Sequence, residues 1–233
     1  MKRPILLTGF TSLAMIFAFS GHALADDRTT EFDEKHKSCL EQIADDADLA
    51  YEEAMIWRGD GGGRRARHCE AMALFALGHK EQAAYRLDQL GDMRESIAPE
   101  HRKNYYLEAA NFWLMANEVN QAYDSATAGL EIDEGDSDLR IARARVYALL
   151  DRYQDSETDL TSVLNFDSKN AAALRYRADT RRRLGKLDDA KTDIETSLRI
   201  DPNSVETALI RGQINEALRL RAMGKLTTEE TAE

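Results

Sequence analysis

The sequence predicts an all-α protein, an α-solenoid of about five helix-turn-helix repeats, the first degenerate, closed by a C-terminal capping helix. Three observations predict it. The stretch from Leu184 to Asn203, LGKLDDAKTDIETSLRIDPN, finds itself again in steps of 34: Leu198, Ile200 and Asp201 fall on Leu164, Phe166 and Asp167, then on Leu130, Ile132 and Asp133. Small residues keep the same period through Ala110, Ala144, Ala178 and Gly212, and Ala190 has counterparts at Ser156 and Ala122. Composition agrees: three prolines, 7% aromatics and an abundance of Ala, Leu, Arg, Glu and Asp suit helices rather than strands.

The chain begins with an address. Lys2 and Arg3 form a short basic start, and Ile5 to Phe19 is a mainly apolar run without a charge. Ala23-Leu24-Ala25 places small residues where a signal peptidase needs them, and Asp26-Asp27 follow. This pattern is that of a cleavable secretory signal, residues 1–25, with cleavage after Ala25. The apolar run is short for a membrane span, and no Cys follows it to carry a lipid. The expected mature chain is soluble and exported; the bacterial type of the signal points to the periplasm. An uncleaved anchor is the alternative.

Residues 26–63 read as a degenerate first repeat. Asp26 to Thr30 is polar and expected to fray. Helical spacing starts at Phe32, with Lys37 to Ala44 a short helix, and Asp45-Asp46 close it and cap the next. Ala47 to Trp57 carries Leu49, Ala50, Ala54 and Trp57 on one face. The run Arg58 to Gly63 then breaks the helix. Glycines ahead of a helix with Arg64 and Arg65 behind them suit an anion, but the Gly-Lys-Ser/Thr ending of a phosphate loop is missing, so the run reads as a connector.

Repeats occupy residues 64–204. The second starts near Arg64, turns at Gly78 and places Ala83, Leu87 and Leu90 inward. Extra residues around Ser96 to Arg102 precede the third, where Pro99 suits a first helical turn. The third, fourth and fifth start near Lys103, Ser137 and Ala171. Residues 205–226 form one further amphipathic helix that fits a solvating cap, and residues 227–233 a polar tail.

A 34-residue period, small residues at its eighth and twentieth positions and Asp201-Pro202 at its end mark the tetratricopeptide repeat. The chain resembles that family over about three quarters of its length. The small residues let the two helices of a repeat approach closely, and larger ones fill the space between repeats. The seventh position departs from the pattern: its usual Leu is Ala109, Arg143 and Arg177 here.

The resemblance implies a binding scaffold whose first helices line a concave groove. Positions two, five, nine, twelve and thirteen then place Phe75, Asn111, Arg145, Arg175, Asp179 and Arg182 in it as candidate partner-binding residues. Arg145, Arg175 and Arg182 form a basic stripe whose forks suit carboxylates or the acidic side of a peptide. The blander alternative is a solvated face with local pairs such as Arg175 and Asp179. Asn111 and Arg145 echo the carboxylate-clamp subfamily, which reads chaperone C-termini, but its lysines are missing and that function is not carried over.

Two cysteines, Cys39 and Cys69, lie in the expected mature chain. The helix from Ala47 to Trp57 hairpins with its neighbours on both sides. Cys39 then sits level with Tyr51 and Cys69 level with Glu52, so the two share a height on neighbouring helices, within bridging reach. A disulfide is the expectation for an exported protein. Free thiols, or a metal site with His36 and His68, are the alternatives, and no metal or other cofactor is expected.

Nothing points to an enzyme. His36, His68, His79 and His101 are scattered, with no HExxH, nucleophile elbow, phosphate loop or dinucleotide fingerprint. The net charge is −11. Loss of residues 1–25 would take away Lys2 and Arg3 and leave −13. Such acidity disfavours nucleic acid and anionic membranes as partners. The expected partner is a protein or extended peptide bound in the groove. A structural subunit docked permanently in a cell-envelope or secretion complex is the second reading, and an exported hydrolase is disfavoured.

Overall fold

The computed structural model describes residues 21–224, with side chains from residue 29 onward. The expected leader falls mostly outside these residues, and the expected tail falls wholly outside them. Every regular element described is a helix. They pair in order: α1 (Gly21–Asp45) with α2 (Ala47–Gly59), α3 (Gly63–Ala76) with α4 (Lys80–Gly91), and α5 (Pro99–Met115) with α6 (Val119–Ile132). Then come α7 (Ser137–Leu149) with α8 (Tyr153–Phe166), α9 (Ala171–Arg183) with α10 (Leu187–Ile200), and a final α11 (Val205–Ala222). Each helix packs on its sequence neighbour, and first helices also stack on first helices, α5 on α7 and α7 on α9. This is the expected all-α solenoid. No helix among the described residues is long and apolar enough to cross a membrane.

The turns repeat like the helices. Between the two helices of successive repeats the chain passes through a left-handed residue at Gly78, Asn117, Asp151 and Gly185. Glycine and the short polar residues tolerate that conformation best. The first spacing is longer than the later ones because the chain inserts a loop after α4 and a longer α5. Pro99 occupies the first turn of α5, as expected. Asp46, Asp136, Asn170 and Ser204 cap the following helices with side-chain oxygens that accept backbone N–H bonds.

The core consists of small residues at the helix crossings and larger ones between them. Ala110, Ala144 and Ala178 are fully buried, as are Ala122 and Ala190. Leu87, Leu160 and Ile194, nearly two turns into the second helices, lie under them without exposure. The glycine connector also has a packing role: a Cβ on Gly62 would stand 2.7 Å from the Trp57 ring. That close approach, rather than an anion, accounts for the residue.

Two expectations need correction. Asp26 to Thr30 is helical, because α1 is much longer than the short helix read from Lys37 to Ala44. No glycine or proline interrupts it after Gly21, and its stripe Phe32, His36, Cys39 and Ile43 has neighbours to pack on; Phe32 meets Trp57 edge to face. At the other end, α11 carries more than a solvating face: Val205 and Leu209 are 77% and 64% exposed. Gly212, next in the small-residue series, has open space beside it.

Candidate partner-binding groove

First helices supply the candidate groove residues, and the 34-residue register sets them side by side. Arg145 stands on α7 one period after Asn111 on α5. Its Nη1 donates to Asn111 Oδ1 at 2.8 Å. Asn111 Nδ2 donates in turn to the Leu107 carbonyl at 3.0 Å, which fixes the amide orientation. The Arg145 guanidinium also lies 5.5 Å from the centre of the Tyr176 ring, and that of Arg175 lies 4.8 Å from it. Each such contact contributes about 0.5–1 kcal/mol at a solvent-accessible site. Arg175 further approaches Glu206 of α11 at 4.0 Å.

Arg145, Arg175 and Tyr176 therefore form one cluster at the junction of α7 and α9. A guanidinium has five N–H donors, and Asn111 uses one of those on Arg145. The cluster can present several donors to a carboxylate while the Tyr176 ring holds both forks in place.

The other predicted residues behave differently. Asp179 accepts from Arg182 at 2.7 and 3.0 Å and from Arg183 at 3.2 Å. The expected Arg175–Asp179 pair is thus replaced, and Arg182 is already matched by a carboxylate. Phe75 is half-buried and stacked on Phe112, ring centres 3.8 Å apart and 11° from parallel. Its ring belongs as much to the core around Leu74 and Trp113 as to the surface.

Cys39 and Cys69 are joined by a disulfide, with Cα atoms 6.3 Å apart. The bond ties α1 to α3 and takes both sulfurs out of consideration as metal ligands. Beside it, Nε2 of His36 lies 2.9 Å from Nδ1 of His68. Nε2 of His68 lies 2.8 Å from Oε2 of Glu108. Both nitrogens of His68 are therefore engaged. Burial, then His68 and the guanidiniums of Arg65 and Arg64, push the His36 ring down to about 4, against the opposing pull of Asp33.

Tyr176 and Glu108 escaped sequence reasoning. Both occupy the sixth position of their repeats, which is Ala142 in the repeat between them. A position without a shared residue type leaves no periodic signal. The only hint at Tyr176 was its place between Arg175 and Arg177.

Antiparallel helix pairs, a fixed inter-helix turn and small residues at each crossing define a helical-repeat scaffold. Its repeat is of the tetratricopeptide type, and the comparisons agree. No family model matches the sequence. Human RNA polymerase II-associated protein 3 is 28% identical over 111 residues, 48% of this chain; the chain spans only 17% of that relative's length. The solved first tetratricopeptide domain of the same human protein is 26% identical, with a TM-score of 0.51, over 54% of this chain and 98% of that one. A tetratricopeptide protein of Thermus thermophilus shares the fold over 79% of this chain and all of its own, at 18% identity and a TM-score of 0.56.

Proposed function

We propose that the chain is an exported, periplasmic, non-catalytic scaffold that captures a protein or extended peptide on the groove formed by its first helices. The observation that carries this reading is the gathering of Arg145 and Arg175 over Tyr176. Two cations of adjacent repeats share one aromatic platform, in a chain of net charge −11. Their donors suit an acidic or C-terminal carboxylate feature of the partner. Phe75 of α3 with Leu107 and Leu114 of α5, all half-buried on first helices, would take its uncharged side chains.

A photo-crosslinking residue in place of Tyr176, expressed in cells, tests the reading. Recovery of one dominant protein adduct from the periplasmic fraction is the expected result. Absence of any adduct from that surface, while the protein is folded and exported, would overturn the groove assignment. Retention in the cytoplasm would overturn the location.

The exposed Val205 and Leu209 on α11 favour a second reading, a subunit docked permanently through its last helix. Purification separates the two. A scaffold with an exchanging partner is soluble alone, whereas a docked subunit associates or precipitates when isolated.

A further inference from the structure

Beside the Asp33–Arg65 ion pair, two further fastenings hold α1 against α3 within one turn of each other. His36 and Cys39 stand three residues apart on α1, hence on one face, and their partners His68 and Cys69 are adjacent on α3. The sulfur bond is covalent. The imidazole contact depends on protons.

Glu108 can only accept, so His68 donates to it through Nε2. The Nδ1 of a neutral His68 is then an acceptor, and His36 Nε2–H is its donor. The facing nitrogens share one proton. A second proton, taken up at the other nitrogen of His36, makes that ring a half-buried cation. The surroundings make that worse. On α3 stand Arg64 and Arg65 besides His68, and on α5 Tyr105 and Glu108. Asp33 on α1 is already bonded to Arg65. Arg64 reaches the Tyr105 hydroxyl at 3.5 Å. From α2, Ala54 packs beside the disulfide and Trp57 meets Phe32; neither titrates.

We propose that the His36–His68–Glu108 chain is an acid-sensitive latch on α1, backed by the Cys39–Cys69 bond, so that α1 leaves α3 only when the protein is both acidified and reduced. The depressed basicity of His36 agrees with this geometry. Its folded value lies below the ordinary 6.5 of an unfolded histidine. The latch is therefore complete above pH 6.5 and weakens as pH falls towards about 4. Release uncovers His68, Tyr105 and Glu108, at the N-terminal end of the first-helix face. Acidity or reduction alone leaves α1 seated. The latch does not depend on which partner the groove takes.

Amide hydrogen exchange tests it, as protection factors corrected for the intrinsic pH dependence, at pH 7 and pH 4.5, with and without reductant. In reduced protein, α1 amides should lose about tenfold or more protection on acidification, while α9 amides keep theirs. In oxidised protein the α1 loss should stay within about threefold. His36→Gln keeps a side-chain donor and removes the titrating ring; its reduced form should show no acid loss beyond about twofold. Unchanged α1 protection in reduced wild-type protein at pH 4.5 would overturn the latch. So would an equal acid loss in His36→Gln, which would point to the Asp33–Arg65 pair, and so would a parallel loss in α9. Should the variant not fold, the ring signals of His36 in the wild-type chain decide. A midpoint near 4 that coincides with α1 opening supports the latch, and one near 6.5 overturns it.

Discussion

The guanidinium of Arg143 holds both oxygens of Asp159, Nε to Oδ2 at 2.8 Å and Nη2 to Oδ1 at 2.9 Å, across the two helices of one repeat. One period later Arg177 holds Asp193 with both bonds at 2.8 Å. The aspartates are 4% exposed. A fork-on-fork ion pair thus stands where the repeat pattern has a leucine packed on its second helix. Arg140 adds a contact to Asp159, and Arg181 adds one to Asp193. The bond to Asp159 raises the basicity of Arg143 further above its ordinary value.

Removing one partner leaves a buried charge unmatched. Asp159→Ala should lower unfolding stability by about 3 kcal/mol, read from urea midpoints. The double change Arg143→Leu with Asp159→Leu restores the apolar contact and should recover most of the loss. A single variant as stable as the wild type would show that the pair contributes nothing at this crossing.

That pair also shows what was legible in the sequence and what was not. The 34-residue recurrence marked the helix pairs because every repeat must bury the same small residues at the same crossings. Arg143 and Arg177 stood out as departures, but their partners lie sixteen residues on, in another helix. Nothing local ties them to Asp159 and Asp193. The level placement of Cys39 and Cys69 was readable because two turns of known length fix heights along neighbouring helices. The length of α1 was not, since polar residues such as Asp26 to Thr30 carry no core signal of their own. In the groove, the register put Arg145 one period after Asn111, but the hydrogen bond between them did not follow from it. It could not reveal that Arg182 is matched by Asp179 while Arg175 turns to Tyr176.

The disulfide closes a loop with a sequence separation of 30 residues. Replacing both cysteines by alanine should cost about 3–4 kcal/mol by the chain-entropy estimate. The loss should appear first in α1 and α2, whose shared cluster of Cys39, Ala54 and Cys69 contains the bond itself. Intact mass after alkylation checks the bond. No label should enter the native oxidised protein, and two labels should enter after reduction.

Tyr106 should give the chain an alkaline limit. Its hydroxyl donates to Asp92 Oδ1 at 2.7 Å. Burial, and then that bond, push the phenol up to about 12 from an ordinary 10.0. The folded state keeps this proton in a range where the unfolded state has lost it. The stabilisation is therefore complete below pH 10 and is lost as pH rises through about 12. Tyr106→Phe keeps the ring against Gly91 and should cost about 1 kcal/mol at pH 9, with a shallower decline from pH 10 to 11.5. Parallel declines for the two proteins in urea titrations would assign the alkaline limit to other groups.

The groove prediction separates two kinds of arginine. Arg182 already has a carboxylate partner in Asp179, so a ligand must compete for it. Arg145 and Arg175 rest on Tyr176 with donors to spare. Each exposed ion contact to a ligand contributes about 0.2–1 kcal/mol, so single changes stay within a few-fold. Arg145→Gln with Arg175→Gln removes two such contacts and should weaken capture of an acidic peptide with a free C-terminus about tenfold at low salt. Arg182→Gln should change it less than about twofold. The thermal midpoint of each variant should stay within about 3 °C of the wild type, because the helices and their buried faces are untouched. Raising the salt should reduce wild-type binding and narrow the gap between wild type and double variant. If Arg182→Gln weakens binding as much as the double change, Asp179 does not hold that fork against a ligand, and the three arginines act as one stripe. If neither change matters at low salt, the cations are a solvated face, and the partner must be sought along Phe75, Leu107 and Leu114.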